Sequence, residues 1–234
     1  MKRLNTYIIE KFQVSKDNIR TYKYYPETKY ELRALLKERL DKDKDADLND
    51  IDVSNITDMG LLDTGHGLFE GLDPHNIDIS EWDVSNVINM SNMFYGCPNF
   101  NANLSNWDIS KVENIGLMFY GCKNFNSNLS NWDIHNVKLM DNMFYTCNKF
   151  NSNLSNWDVS NVERMDFLFC NCINFNSDLS NWNVSNVTDM RFMFHKCKKF
   201  NSDLSNWNVA HVKNMAWMFY GCTALKNIPS WYKE

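Results

Sequence analysis

The sequence predicts an α/β solenoid of 25-residue coils, each with short parallel strands and one helical turn, capped by an N-terminal helical segment. Three observations lead there. Trp82, Trp107, Trp132, Trp157, Trp182 and Trp207 recur every 25 residues, and Cys97, Cys122, Cys147, Cys172, Cys197 and Cys222 keep the same step. The stretch from Leu104 to Phe125 returns in close copies along most of the chain. Apolar side chains hold fixed phases within each copy, as Trp157, Val159, Val162 and Met165 do, or Met193, Phe194, Cys197, Phe200 and Leu204. A period of this length marks units that cannot bury their apolar faces alone and do so by stacking.

The chain divides into an N-terminal helical cap or docking segment (1–50), a repeat region of one degenerate and six regular coils (51–228) and a tail (229–234). Leu4, Ile8 and Phe12 fall at four-residue steps, the pattern of a short amphipathic helix. If a later helix closes the stack, these three side chains are free to dock elsewhere. Pro26 disfavours helix in the Tyr-rich run before it, so residues 22–26 read as extended. Thr28 and Glu31 match a capping box. Behind them Leu32, Leu35, Leu36 and Leu40 line one face of a helix from about residue 29 to about 41. The charged residues from Asp41 to Asp47 read as a solvated run. A stack of coils exposes an apolar end and an unpaired edge, so the Leu-rich helix is its natural cap.

The first coil is irregular. Ile51–Met59 aligns with Trp82–Met90 and Phe69 with Phe94, leaving six extra residues around Gly60 to Gly67 as a loop. In a regular coil we expect a strand near Leu104–Ile109 and its counterparts, and a shorter extended piece between the Val and Met that follow. One helical or 3₁₀ turn then ends at Gly96, Gly121 and Gly221.

Polar side chains repeat as strictly as apolar ones. The Asn101 and Asn106 series are expected to satisfy buried corners between coils. Asp83, Asp108, Asp133 and Asp158 form a charged ladder that should repel at one strand spacing of about 4.8 Å unless solvated or paired. No tight carboxylate cluster supplies the six to eight oxygens that calcium takes, so no metal and no cofactor is expected. The six periodic cysteines read as reduced, buried thiols. Cys170, where other coils carry Tyr or His, reads as an exposed one.

A chain of 234 residues with net charge −5 lacks the basic stripe of a nucleic-acid binder. Residues 1–50 carry 12 basic and 10 acidic side chains, so the acidity lies in the repeats. Met1-Lys-Arg-Leu is followed by Asn5, Glu10 and Lys11, which interrupt any signal-peptide core. No apolar run approaches the roughly 20 residues of a spanning helix. These features predict a cytoplasmic chain, or one assembled into a particle, without membrane insertion. The Ser, Asp and Cys residues are repeated scaffold positions and the five His scatter over different phases, so no catalytic constellation emerges.

The motif Val184-Ser-Asn-Val-Thr-Asp-Met190, with Met193, Phe194, Cys197 and the flanking Asn-Trp-Asn-Val, resembles the 25-residue repeat of the BspA-like leucine-rich-repeat surface proteins. The resemblance covers about residues 51–228. It implies a leucine-rich-repeat-like stack used for binding, on bacterial surfaces or in mobile elements and phages.

Function is then sought where the copies differ. The second residue after the Met90 position reads Asn92, Leu117, Asn142, Phe167, Phe192, Trp217. Phe167, Phe192 and Trp217, bordered by Arg164, Arg191 and His195, form an aromatic stripe of the composition that dominates interface hot spots. The expected function is a non-enzymatic scaffold binding a protein, or a glycan, through one face. The alternative is a structural component of a phage particle or similar assembly, docked through Leu4, Ile8 and Phe12.

Overall fold

The computed structural model describes residues 21–233; Leu4, Ile8 and Phe12 lie outside them. Among the described residues there is one α-helix, α1 (Lys29–Lys42). Thr28 caps it, its hydroxyl accepting from the Glu31 amide at 3.2 Å. The Glu31 carboxylate reaches one residue further back than a standard box, to the Glu27 amide. Leu32, Leu36 and Leu40 are fully buried and continuous with the core of the coils, and Leu35 packs against it.

α1 and the residues just after it also answer the hydrogen-bonding needs of the first coil. Two carbonyls there, Leu68 O and Glu70 O, accept the two arms of the Arg33 guanidinium at 2.6 and 2.7 Å. Lys29 Nζ donates to Leu61 O, and Lys44 Nζ to Leu72 O. The run from Asp41 to Asp47 is therefore not simply solvated. Ala46 is buried, Asp47 pairs in parallel with Asp78, and Asp45 accepts from the Asn76 amide.

The remaining chain is a stack of coils made of turns. The expected α/β solenoid with short parallel strands does not form: among the described residues there is no strand and no sheet. Pairing is confined to isolated parallel bridges, of Tyr24 with Ile51, of Asp47 with Asp78, and of one residue per coil through Asp58, Asn89, Asn114, Leu139, Arg164, Asp189 and Asn214.

The reason lies in where the backbone amides go. Over Leu104–Ile109, where a strand is expected, the Trp107 amide turns back to Leu104 O and the Val112 amide to Ile109 O. Asn103, Asp108 and Asn114 each accept, through Oδ1, the amide two residues on, at Ser105, Ser110 and Gly116. Such Asx turns offer the backbone an alternative to a ladder and leave no extended run of useful length.

The expected helical turn is absent too. Between Ile115 and Gly121 alternate residues behave differently. The amides of Ile115, Leu117, Phe119 and Gly121 donate to the next coil, at Leu139 O, Asp141 O, Met143 O and Tyr145 O, with lengths of 2.8–3.0 Å. The amides of Met118, Tyr120 and Cys122 instead bond three residues back. This alternation needs left-handed backbone at Leu117 (φ 57°) and Gly121 (φ 77°), which neither helix nor strand contains.

The core is a set of ladders. Trp indoles stack at centroid spacings of 6.3–6.4 Å, as in Trp82–Trp107, Trp132–Trp157, Trp157–Trp182 and Trp182–Trp207. From Trp107 to Trp207 each Nε1 donates to a carbonyl 28 residues earlier, Trp132 to Leu104 O at 2.9 Å and Trp157 to Leu129 O at 3.0 Å. Phe94, Phe119, Phe144, Phe169 and Phe194 stack beside them at 5.6–5.7 Å. The repeated Cys joins coils as well, since the Cys147 thiol donates to Phe119 O and that of Cys172 to Phe144 O. In the first coil Asp58 pairs with Asn89 while Phe69 stacks on Phe94 at 4.8 Å. The six extra residues lie between those two contacts.

Three surface expectations change. Cys170 is buried at 2% exposure, its sulfur accepting from Asn171 Nδ2, because a thiol is too short to reach past the flanking Tyr and His side chains. Burial pushes its pKa up to about 11. The Asn101 and Asn106 series are exposed rather than buried. The first still links coils, because Asn101 Oδ1 accepts the Asn126 amide and Asn126 Oδ1 the Asn151 amide. All seven cysteines are unpaired, and Cys222 is the only one not buried. A bulky maleimide should therefore modify native Cys222 first and leave Cys170 protected until unfolding. Peptide mapping that finds Cys170 labelled as fast as Cys222 would contradict its placement.

An aromatic face with a built-in backbone strain as the candidate functional site

The variable stripe coincides with the left-handed backbone position of each coil. Asn92, Leu117, Asn142, Phe167, Phe192 and Trp217 have φ between 55° and 59°. Asn tolerates this conformation, whereas a bulky side chain there is held at a cost of about 1–2 kcal/mol. The surrounding hydrogen bonds enforce it. The Phe167 amide donates to Arg191 O while Phe167 O accepts the Cys170 amide.

The structure brings the three aromatics together. Phe167 and Phe192 stack at 4.7 Å with planes 5° apart, and Trp217 continues the stack at 6.5 Å. The two Phe rings are half-buried against each other, and Trp217 is 55% exposed.

Three residues further along each coil runs a second row, of which sequence reasoning singled out only His195. Tyr95, Tyr120 and Tyr145 stack at 4.7 and 4.6 Å, and His195 stacks on Tyr220 at 5.1 Å. The rows touch where Tyr145 meets Phe167, Phe192 meets His195 and Trp217 meets Tyr220 edge-on at 5.3 Å. The signal was the 25-residue recurrence of Tyr at a position that also varies.

Arg164 and Arg191 are beside the stripe but are not a free cationic rim. Arg164 pairs with Asp166 at 3.1 Å and lies 3.9 Å from Asp141. Arg191 approaches Asp166 at 3.5 Å and Asp189 at 3.4 Å, its guanidinium 5.8 Å from the Phe167 ring centre. Burial works against the charge on Arg164, but Asp141 and Asp166 outweigh it and raise its pKa. Asp166, 2% exposed, is thus the buried centre of an ionic cluster that orients both arginines.

Burial lowers the pKa of His195, helped by the neighbouring Lys196, and its Nδ1 has no hydrogen-bond partner. As pH falls, the unfolded chain therefore takes up this proton before the folded one. The stability His195 contributes is complete above the ordinary His range and is lost as pH falls through its lowered folded pKa. We expect His195→Phe to remove that component of the acid sensitivity, read from urea midpoints at pH 7.5 and 5. Identical pH dependence of the variant and the natural chain would remove His195 from the account.

Elsewhere the coil faces carry shallow polar grooves, one of them lined by Asn136, Lys138, Asn161, Glu163, Asn186 and Thr188. Among the described residues no group of His, Cys, Asp and Glu is placed to hold a metal ion, and no helix is long and apolar enough to cross a membrane.

Comparison with known proteins places the repeat. No curated protein and no solved structure matches the chain. One family profile matches twice, over residues 34–156 and again over 140–234, so that it runs from within α1 through every coil. This repeat protein belongs to the family described as Mycoplasma protein of unknown function, DUF285.

Proposed function

We propose that the chain is a non-enzymatic scaffold that binds a protein through the aromatic face of its C-terminal coils. The observation that carries this reading is the choice of Phe167, Phe192 and Trp217 for a left-handed position that Asn142 fills at lower cost one coil earlier. Bulky residues kept in strained backbone concentrate at functional sites. Aromatic anchors beside oriented arginines are the usual composition of interface hot spots. The rings favour a protein over a glycan. Phe167 and Phe192 lie face to face and leave edges outward, whereas a sugar ring is held by an aromatic face. The finer resemblance to BspA-like repeats agrees with a binding role.

The test is a panel of immobilised peptides and glycans probed with the natural chain and with a Phe167→Asn, Phe192→Asn, Trp217→Asn variant. Asn relieves the backbone, so the variant should unfold at the same or a slightly higher urea concentration while losing its protein ligands. Unchanged capture by a folded variant would move the site off this face. Capture of glycans alone would overturn the choice of partner.

A further inference from the structure

We infer that the edge of the last coil, Met215 to Gly221, is a docking edge for an extended polypeptide segment laid parallel to it. The coils obey one hydrogen-bonding rule. Met165, Phe167, Phe169 and Asn171 donate their amides to Asp189 O, Arg191 O, Met193 O and His195 O. One coil on, Met190, Phe192, Phe194 and Lys196 donate in the same register to Asn214 O, Ala216 O, Met218 O and Tyr220 O, at 2.7–3.1 Å. The next four donors in the series are the amides of Met215, Trp217, Phe219 and Gly221. Among the described residues none of them has an acceptor.

The side chains of this coil are equally unfinished. Val184, Val187, Met190, Cys197 and Phe200 are at most 1% exposed. Their counterparts Val209, Val212, Met215, Cys222 and Leu225 are only partly buried. The other half of the coil is covered, because Trp231 stacks on Trp207 at 6.2 Å and donates to Leu204 O. Among the described residues what stays open is one short, largely apolar stretch with four amides on alternate residues.

Hydrogen-bond polarity selects the occupant. The carbonyls of Asn214, Ala216, Met218 and Tyr220 already accept from the preceding coil, and those of Met215, Trp217, Phe219 and Gly221 accept from within the coil, so the stretch from Met215 to Gly221 offers donors only. Two copies meeting edge to edge would set N–H against N–H. A head-to-tail copy is also refused, because Arg33 occupies Leu68 O and Glu70 O at the other end of the stack. The complement is a segment with carbonyls on every second residue and apolar side chains between them, added as a strand is added to a sheet edge. Trp217 borders both this edge and the aromatic face, but the docking edge does not depend on the function proposed for that face.

The probe is a synthetic peptide of residues 187–196, which carries the carbonyls of Asp189, Arg191, Met193 and His195 to which the preceding coil donates its amides. Amide hydrogen exchange of the whole chain is followed by NMR. With the peptide present, the amides of Met215, Trp217, Phe219 and Gly221 should exchange at least about tenfold more slowly, as newly bonded amides do. A scrambled peptide should leave them unchanged. Trp217→Asn retains the amide and should retain the protection, which separates the edge from the aromatic ring. The inference is overturned by no slowing at saturating peptide, by equal slowing with the scrambled one, or by its loss in Trp217→Asn. It is also overturned if the four amides are already protected in the free chain, whether monomeric or self-associated by sedimentation.

Discussion

Trp132→Ala should lower stability by about 3–5 kcal/mol, the range for deleting a fully packed aromatic ring. The indole is 3% exposed, stacks on Trp157 at 6.4 Å and touches Phe119 at 6.3 Å. Its Nε1 bonds Leu104 O, so the substitution also cuts a tie between two coils. A middle coil has packed neighbours on both sides, which limits how far the cavity can collapse. Trp132→Phe keeps most of the ring and loses the hydrogen bond, and should fall between the two. Urea denaturation followed by circular dichroism measures both. A loss under about 1 kcal/mol for the alanine variant would show that the indole is not part of the packed ladder.

Arg33→Met should cost about 2–4 kcal/mol, although it removes no core side chain. Each arm of the guanidinium satisfies one carbonyl of the first coil, and hydrogen bonds from a charged donor contribute about 1.5–3 kcal/mol. Met retains the apolar stem, so the difference reports the two bonds rather than packing. Arg33→Lys offers a single ammonium in place of a fork and should recover only part of the loss. The same urea titration decides. A methionine variant within about 0.5 kcal/mol of the natural chain would mean that the Leu32, Leu36 and Leu40 contacts alone hold α1 on the stack.

Much of the arrangement was legible because it depends on counting and on side-chain type. The capping pair Thr28 and Glu31 and the spacing of Leu32, Leu36 and Leu40 located α1 to within a residue or two. The mismatch between Ile51–Phe69 and Trp82–Phe94 located the loop of the first coil. The stripe of Phe167, Phe192 and Trp217 was legible as variation inside a fixed frame, and the structure brings those rings together. The Tyr95, Tyr120 and Tyr145 row was equally countable but was missed, since Tyr next to Gly or Thr reads as part of a turn. Arg164 and Arg191 were legible as neighbours of the stripe. Their engagement with Asp166 was not, because it joins residues 25 apart with side chains that could point either way.

The sequence by itself determined which residues stack on which. An unbroken period of 25 puts Trp over Trp and Phe over Phe whatever the backbone does between them, because every apolar phase is buried only in that register. Only the tertiary structure decided the backbone. Alternation of apolar and polar side chains suits a strand and an Asx-turn chain alike. The choice between them rests on where each amide finds its acceptor. In this chain alternate amides between Ile115 and Gly121 find it in the neighbouring coil, and the amides between them find it three residues back. That division goes with left-handed backbone at Leu117 and Gly121, and likewise at Phe167 and Phe192. A single coil has no neighbour to supply those acceptors, so its sequence read alone looks like strand and helical turn.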